Sequence, residues 1–202
     1  RIGQELQWDS PVVTSRRRGQ KQLQLSRLSD HELAAAMIGL LQKDSFSPSA
    51  AWVLGELRDP RAIKPLIKAL TDYDRTRRSN AATALAKIGQ PAIPGLIEAL
   101  GNPNREVRGW TSTALSGMGP AAVPHLLKVL DDGPDVAQYD VVCALRSIGD
   151  RRAVPALIKS LQSDDPRIVG MAAAALGAIG DPAATGPLLK ALENPRNWHA
   201  SG

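Results

Sequence analysis

Two interleaved series of leucines run through this chain. Leu54, Leu85, Leu115, Leu145 and Leu176 succeed one another at steps of 31, 30, 30 and 31 residues. Leu66, Leu96, Leu126, Leu157 and Leu188 do so at steps of 30, 30, 31 and 31. Around each first-series marker the core-type positions fall at 3–4 spacing, as Val107, Thr111, Ala114, Leu115 and Met118 do in the third copy. That spacing places them on one face of a helix. A pattern of this length, kept over five copies from about residue 46 to residue 193, predicts stacked supersecondary units sharing one continuous core.

Each unit reads as two antiparallel helices. The first is Ala-rich and stops at Gly89, Gly119, Gly149 or Gly180, because the residue closing a helix often takes the left-handed conformation that suits glycine. The first copy has Arg58 there, which predicts a looser turn. Asn102-Pro103 reads as the start signal of the third copy's first helix. A corner follows, Asp59-Pro60 or Asp181-Pro182, in which Asp caps the next helix and Pro fits its first turn. The second helix is short, as in residues 124–130 and 155–161. A proline inside a helix costs ~3 kcal/mol, so the short helices should begin near Pro65, Pro94, Pro124 and Pro155, after a turn of different geometry. Upstream, residues 29–42 read as one more helix, opened by Ser29 and Glu32 as a capping box and paired with a helix over about 46–57. The expected architecture is all-α: a right-handed α-solenoid, or superhelix, of about five two-helix units over residues 28–193. Residues 1–27 read as a basic, polar arm and 194–202 as a tail whose Trp198 covers the end of the last helix.

Composition adds limits. Among 202 residues, 43% are hydrophobic but only 3% aromatic, so the core must be aliphatic and Ala-rich. No apolar run is long enough for a transmembrane helix. A chain opening at Arg1 reads as an excerpt or as processed at its front. The single cysteine, Cys143, excludes an internal disulfide and fits a reducing, cytoplasmic setting. The formal net charge is +5. Residues 1–30 hold six basic and three acidic side chains, so the repeats themselves are close to neutral.

Ala81-Ala82-Thr83-Ala84-Leu85-Ala86-Lys87-Ile88-Gly89, followed by Pro94-Gly95-Leu96-Ile97-Glu98-Ala99-Leu100, resembles the short HEAT-like repeat named after phycobilisome bilin lyases. Met171-Ala172-Ala173-Ala174-Ala175-Leu176-Gly177-Ala178-Ile179-Gly180-Asp181-Pro182 resembles it too. The resemblance covers about residues 30–193. It implies a solenoid whose Ala-rich helices line the concave face. Function varies across that family, from scaffolds and lyase subunits to a metal-dependent hydroxylase.

Positions where the copies agree are explained by packing, and positions where they differ are free for something else. Four variable columns lie at relative positions −4, −3, 0 and +4 of the Ala-rich helix, which is one face. They read Pro48, Ser79, Gly109, Tyr139, Gly170; then Ser49, Asn80, Trp110, Asp140, Met171; then Trp52, Thr83, Thr113, Cys143, Ala174; and Glu56, Lys87, Gly117, Ser147, Ala178. Three of the chain's seven aromatics, Trp52, Trp110 and Tyr139, fall in this lane. Trp and Tyr combine large buried area with a polar handle, as binding anchors do. Packing between adjacent units would place rings there as well.

Candidate chemistry is sparse. His31-Glu32 matches the metal-ligand pair of the HEAT-repeat hydroxylase, but that chemistry needs several such pairs. The corresponding lane columns hold Ser79-Asn80, Gly109-Trp110, Tyr139-Asp140 and Gly170-Met171. A helix start with an acidic capping residue accounts for His31-Glu32, and no metal site is expected. Cys143 lacks a histidine nearby, and Asp140, one turn earlier, would raise its pKa. No catalytic residues are assigned. Arg75, Arg77, Arg78, Arg105 and Arg108 cluster at helix starts, where Asp72, Asp74 and Glu106 can pair with some.

The leading expectation is a non-catalytic scaffold or adaptor, without cofactor, that holds a protein partner in its groove. Its site would comprise Trp52, Ser79, Asn80, Thr83, Trp110, Thr113, Tyr139, Asp140, Cys143 and Met171. The alternative is a subunit like the bilin lyases, handling phycocyanobilin on a phycobiliprotein; Ala50-Ala51-Trp52-Val53-Leu54-Gly55 resembles a segment of those proteins. A third reading is nucleic-acid binding through the arm residues Arg16, Arg17, Arg18 and Lys21.

Overall fold

The computed structural model describes residues 28–41 and 48–193, which form eleven α-helices and no strand. Helix α1 (Asp30–Leu41) leads. Five pairs follow: α2 (Pro48–Leu57) with α3 (Ile63–Ala69), α4 (Arg75–Ile88) with α5 (Ile93–Ala99), α6 (Arg105–Gly117) with α7 (Val123–Asp132), α8 (Asp135–Ile148) with α9 (Val154–Ser160), and α10 (Pro166–Ile179) with α11 (Thr185–Glu193). The Ala-rich helices α2, α4, α6, α8 and α10 pack each on the next. The shorter helices α3, α5, α7 and α9 form a second row, each also packed against the Ala-rich helix that follows it. Helix α1 packs on α2 and α3 and stands where a preceding unit would. The molecule is an α-solenoid.

The two leucine series meet between these rows. Leu54, Leu85, Leu115, Leu145 and Leu176 are at most 1% exposed, and Leu66, Leu96, Leu126 and Leu157 are fully buried. Alanines fill the space between stacked helices, where backbones approach closely. A Cβ placed on Gly55 of α2 would lie 2.9 Å from the Ala84 Cα of α4.

Each corner is a single 3-10 turn: Pro60–Ala62, Gln90–Ala92, Gly119–Ala121, Arg151–Ala153 and Pro182–Ala184. The short helices start one or two residues before their prolines, which therefore sit in the first turn and displace no helical hydrogen bond. The alternation of 30- and 31-residue steps has a structural cause. In the three longer corners an aspartate caps the turn: Asp59 Oδ1 accepts from the Arg61 N–H (2.9 Å), Asp150 Oδ1 from Arg152 (2.9 Å) and Asp181 Oδ1 from Ala183 (3.0 Å). The two corners that are one residue shorter have no side-chain cap. Arg61 and Arg152 fold back on their capping carboxylates, and these hydrogen bonds hold the Asp59 carboxyl below its usual range and that of Asp150 at about 2. The same guanidiniums reach the preceding unit, Arg61 Nη2 donating to His31 O (3.1 Å) and Arg152 Nη2 to Pro120 O (2.9 Å).

Three local expectations change. The first corner is not looser: Arg58 takes φ +50°, beside +63° to +78° at Gly89, Gly119, Gly149 and Gly180. An L-residue pays about 1–2 kcal/mol in that region. Glycine gives back part of this through its unfolded-state entropy. Arg58→Gly is therefore expected to stabilise the fold by about 0.5–1 kcal/mol in urea unfolding. Second, α6 is capped by Asn104, whose Oδ1 accepts from the Glu106 N–H (2.9 Å). Asn102 makes the turn before it, accepting from the Asn104 N–H (2.8 Å); Asp72 and Asp74 repeat the device ahead of α4. Third, α6 ends at Gly117, so Gly119 opens the corner rather than closing the helix.

At α1 the capping box is present, with Ser29 N–H donating to Glu32 Oε2 (2.9 Å) and Glu32 N–H to Ser29 Oγ (3.3 Å). His31 Nε2 lies 2.7 Å from Arg61 Nη1. The His31-Glu32 pair is thus part of a helix start. Residues 1–27 and 194–202, the expected arm and tail, lie outside the described residues, as do Arg16, Arg17, Arg18, Lys21 and Trp198.

Candidate functional site: the open face of the Ala-rich helices

The variable columns lie on one solvent-reached face of α2, α4, α6, α8 and α10. In the column of Trp52, the residues Trp52, Thr83, Thr113 and Ala174 are exposed and Cys143 is half-buried. Two open clefts run along this face. One lies between α4 and α6 and is lined by Thr83, Lys87, Thr113 and Gly117. The other, of about 580 Å³ between α6 and α8, is lined by Arg105, Gly109, Thr113, Tyr139, Cys143 and Ser147 among others. Thr113 and Gly117 of α6 border both, so the clefts are adjacent.

The three expected anchors separate. Trp52 is 42% exposed, with Lys87 Nζ 5.5 Å from its ring centre; Lys87 is itself ion-paired to Glu56. Trp110 and Tyr139 are half-buried and pack against the core. Tyr139 is flanked by two guanidiniums, Arg105 from α6 at 5.8 Å and Arg167 from α10 at 5.7 Å. Ser79, Asn80 and Met171 are half-buried. The Thr83 and Thr113 hydroxyls donate to Ser79 O (3.0 Å) and Gly109 O (2.9 Å), one turn back in their own helices.

Asp140 lines the second cleft, yet its charge is committed. It is 5% exposed and takes a hydrogen bond from Arg108 Nε at 2.9 Å. Arg108 Nη1 also donates to Asn102 O (2.8 Å) and Pro103 O (3.0 Å), and Ser112 Oγ donates to Asp140 O (2.7 Å). This network joins the third unit to the fourth. Burial raises the Cys143 thiol above its ordinary pKa and Asp140 adds to this in the expected direction, outweighing the lowering by the Tyr139 hydrogen bond and by the charges of Arg146 and Arg105. A raised thiol is a poor nucleophile at neutral pH. Among the described residues no three His, Cys, Asp or Glu side chains are grouped so as to hold a metal ion, and no helix is long and apolar enough to cross a membrane.

The helix-start arginines pair differently from expectation in one respect. Arg77 meets Asp72 (3.2 Å) and Arg78 meets Glu106 (3.3 Å), but Arg108 reaches 32 residues ahead to Asp140. Arg78 and Arg108 occupy the same column. The place that Asp140 fills in the fourth unit is filled by Trp110 in the third. Comparing each column with its neighbour in the following unit would have revealed the pair.

Comparison with known proteins agrees with this architecture. The family model for HEAT repeats matches residues 48–116 and 123–200. No curated protein matches the chain. Among solved structures, the complex of CpcE and CpcF of phycocyanin lyase from Nostoc sp. PCC7120 is 30% identical, covering 89% of this chain and 73% of that one, with a TM-score of 0.45. Human deoxyhypusine hydroxylase in complex with glycerol is 23% identical over 82% of this chain and 69% of its own, TM-score 0.43. A designed armadillo repeat protein in complex with the peptide (KR)4 is 20% identical over 74% and 85%, TM-score 0.39. The family match spans most of the chain and both helix rows of the solenoid, and the chain belongs to the HEAT-repeat family.

Proposed function

We propose that the chain is a non-catalytic scaffold that binds a protein partner along the open face of its Ala-rich helices. The observation that carries this reading is Trp52. It is a large aromatic, 42% exposed, standing on a face otherwise made of small and uncharged side chains in its own column. Large rings on an accessible, preformed surface bury much area on binding at low entropic cost. The face holds no acid–base constellation: Asp140 is neutralised by Arg108, and Cys143 is held as the thiol.

Trp52 is also the cleaner probe. Trp110 packs against the core, so truncating it would alter stability together with any surface. Trp52→Ala is expected to leave stability within about 0.5 kcal/mol while weakening partner capture from native lysate about thirtyfold, the scale of a hot-spot residue. Capture that is unchanged by Trp52→Ala would overturn the reading.

The bilin-handling alternative gains nothing from the segment that suggested it. Of residues 50–55, Ala50, Ala51, Val53 and Leu54 are at most 1% exposed, and Gly55 is the close-approach point of α2 and α4. Apart from Trp52, which is exposed, the likeness there falls on packed residues.

A further inference from the structure

Every carboxylate on the open face already has a basic or amide partner. Glu56 is paired with Lys87, and Asp140 with Arg108. At the helix-start edge, Asp165 is paired with Arg167 (2.6 Å), Glu106 with Arg78 (3.3 Å), and Asp135 accepts from Gln138 Nε2 (3.4 Å). The guanidiniums are not matched in the same way. Among the described residues Arg105 and Arg146 have no carboxylate partner; Arg105 contacts the Tyr139 ring and Arg146 Nη1 the Met171 sulfur at 3.6 Å. Arg58, beside the α4/α6 cleft, has none either. The face therefore carries guanidiniums without a carboxylate partner, whereas Glu56 and Asp140 on the same helices are both ion-paired.

Arg105 is also positioned. Its guanidinium lies over the Tyr139 ring, 5.8 Å from the ring centre, among the residues that line the α6/α8 cleft, a contact that favours this placement of the planar donor fork. Arg75, in the same column one unit earlier, faces Gly109 in the place of Tyr139 and has no such support. The cleft is open at Gly109, where a Cβ would meet nothing within 4 Å, and Ser147 adds an exposed hydroxyl. Arg146 stands one turn after Cys143 on α8 and meets Met171 of α10.

We infer that the segment docked on this face is an acidic peptide, with an Asp or Glu carboxylate seated in the α6/α8 cleft against Arg105 and a second acidic side chain reaching Arg146. This rests on the docking reading above and adds the chemistry of the occupant. Guanidiniums favour carboxylates through charge-assisted, two-point hydrogen bonds, and unpaired positive charge disfavours a basic segment.

The test uses the full chain and an octapeptide of alternating Glu and Ala, followed by amide chemical shifts up to millimolar peptide. Octapeptides of alternating Gln and Ala, and of Lys and Ala, serve as comparisons, with oligothymidylate as the phosphate-bearing competitor. Expected are shifts confined to α6, α8 and α10, with the Glu peptide alone, and an affinity that falls about tenfold or more in Arg105→Gln. Lys128→Gln makes the same charge change on the outer row and should have no effect; Lys128 is exposed on α7. Absence of shifts at millimolar Glu peptide overturns the inference, as does equal binding of the Lys peptide. Tighter, Arg105-dependent binding of oligothymidylate overturns it in favour of a phosphate ligand. If the acidic assignment fails while lysate capture still depends on Trp52, the docking reading stands without it. If capture is indifferent to Trp52, both fall.

Discussion

Arg108→Ala is expected to lower the unfolding free energy by about 3–5 kcal/mol, the usual cost of stranding one member of a buried ion pair. The Asp140 side chain is 7% exposed, and Arg108 Nε is 2.9 Å from its carboxylate. Removing the guanidinium leaves that charge without a partner and also frees Asn102 O and Pro103 O, which Arg108 Nη1 now satisfies. Those carbonyls belong to the turn that leads into α6, so the lesion also weakens the start of the third unit. The double variant Arg108→Met/Asp140→Leu should recover most of the loss, since it removes the stranded charge. Arg78→Ala is the internal control. Arg78 occupies the same column, but its acidic partner is Glu106, whose side chain is 66% exposed. Arg78 Nη1 also donates to Asp72 O (2.7 Å) and Tyr73 O (3.1 Å), as Arg108 does in its own turn, so only the ion pair differs. With a water-exposed carboxylate that pair adds about 0–1 kcal/mol, and Arg78→Ala should cost less than Arg108→Ala. Urea unfolding of the three variants beside the parent chain checks the ordering. A loss below about 1 kcal/mol for Arg108→Ala would show that water reaches Asp140 freely.

The same contrast shows what the sequence discloses and what it conceals. The solenoid is legible because five copies vote on each core position, and no single substitution disturbs the leucine series. The corners are partly legible. Asp59, Asp150 and Asp181 announce their caps, and the one-residue difference between corners is visible in the marker steps. Arg58 misleads because stacking on both sides dictates the turn, and the residue is forced into glycine's conformation. The site is harder to read. Trp52 and Trp110 look equivalent as exposed-face aromatics, yet they lie in different columns. The column of Trp52 is exposed or half-buried in every unit, whereas that of Trp110 contains the buried Asp140 and otherwise only half-buried residues. Which of two neighbouring columns tilts toward the next helix depends on how the helices cross, and periodicity carries no information on that. Pairs such as Arg108–Asp140 and Lys87–Glu56 join residues about one period apart. They surface only when adjacent units are laid side by side.

Leu115→Ala should cost about 2–5 kcal/mol, the range for deleting a buried leucine whose cavity does not collapse. Leu115 is fully buried, and its helix α6 packs on both α4 and α8. In a stack where each unit touches only its neighbours, stability is nearly a sum of unit terms and interface terms. Among the described residues, a lesion in the third unit therefore weakens the main path by which the first two units are coupled to the last two. Leu176→Ala removes an equally buried marker from the fifth unit, so the first four remain contiguous. The two substitutions delete the same atoms but should differ in cooperativity. Leu115→Ala is expected to broaden urea unfolding into two resolvable transitions, with a lower apparent m-value for each. In Leu176→Ala a single main transition should persist, with early loss of amide protection confined to α10 and α11. Circular dichroism and native-state hydrogen exchange would separate these outcomes. One sharp transition in Leu115→Ala, with protection lost evenly from α2 to α11, would mean that the units unfold as a single block and that the nearest-neighbour description fails.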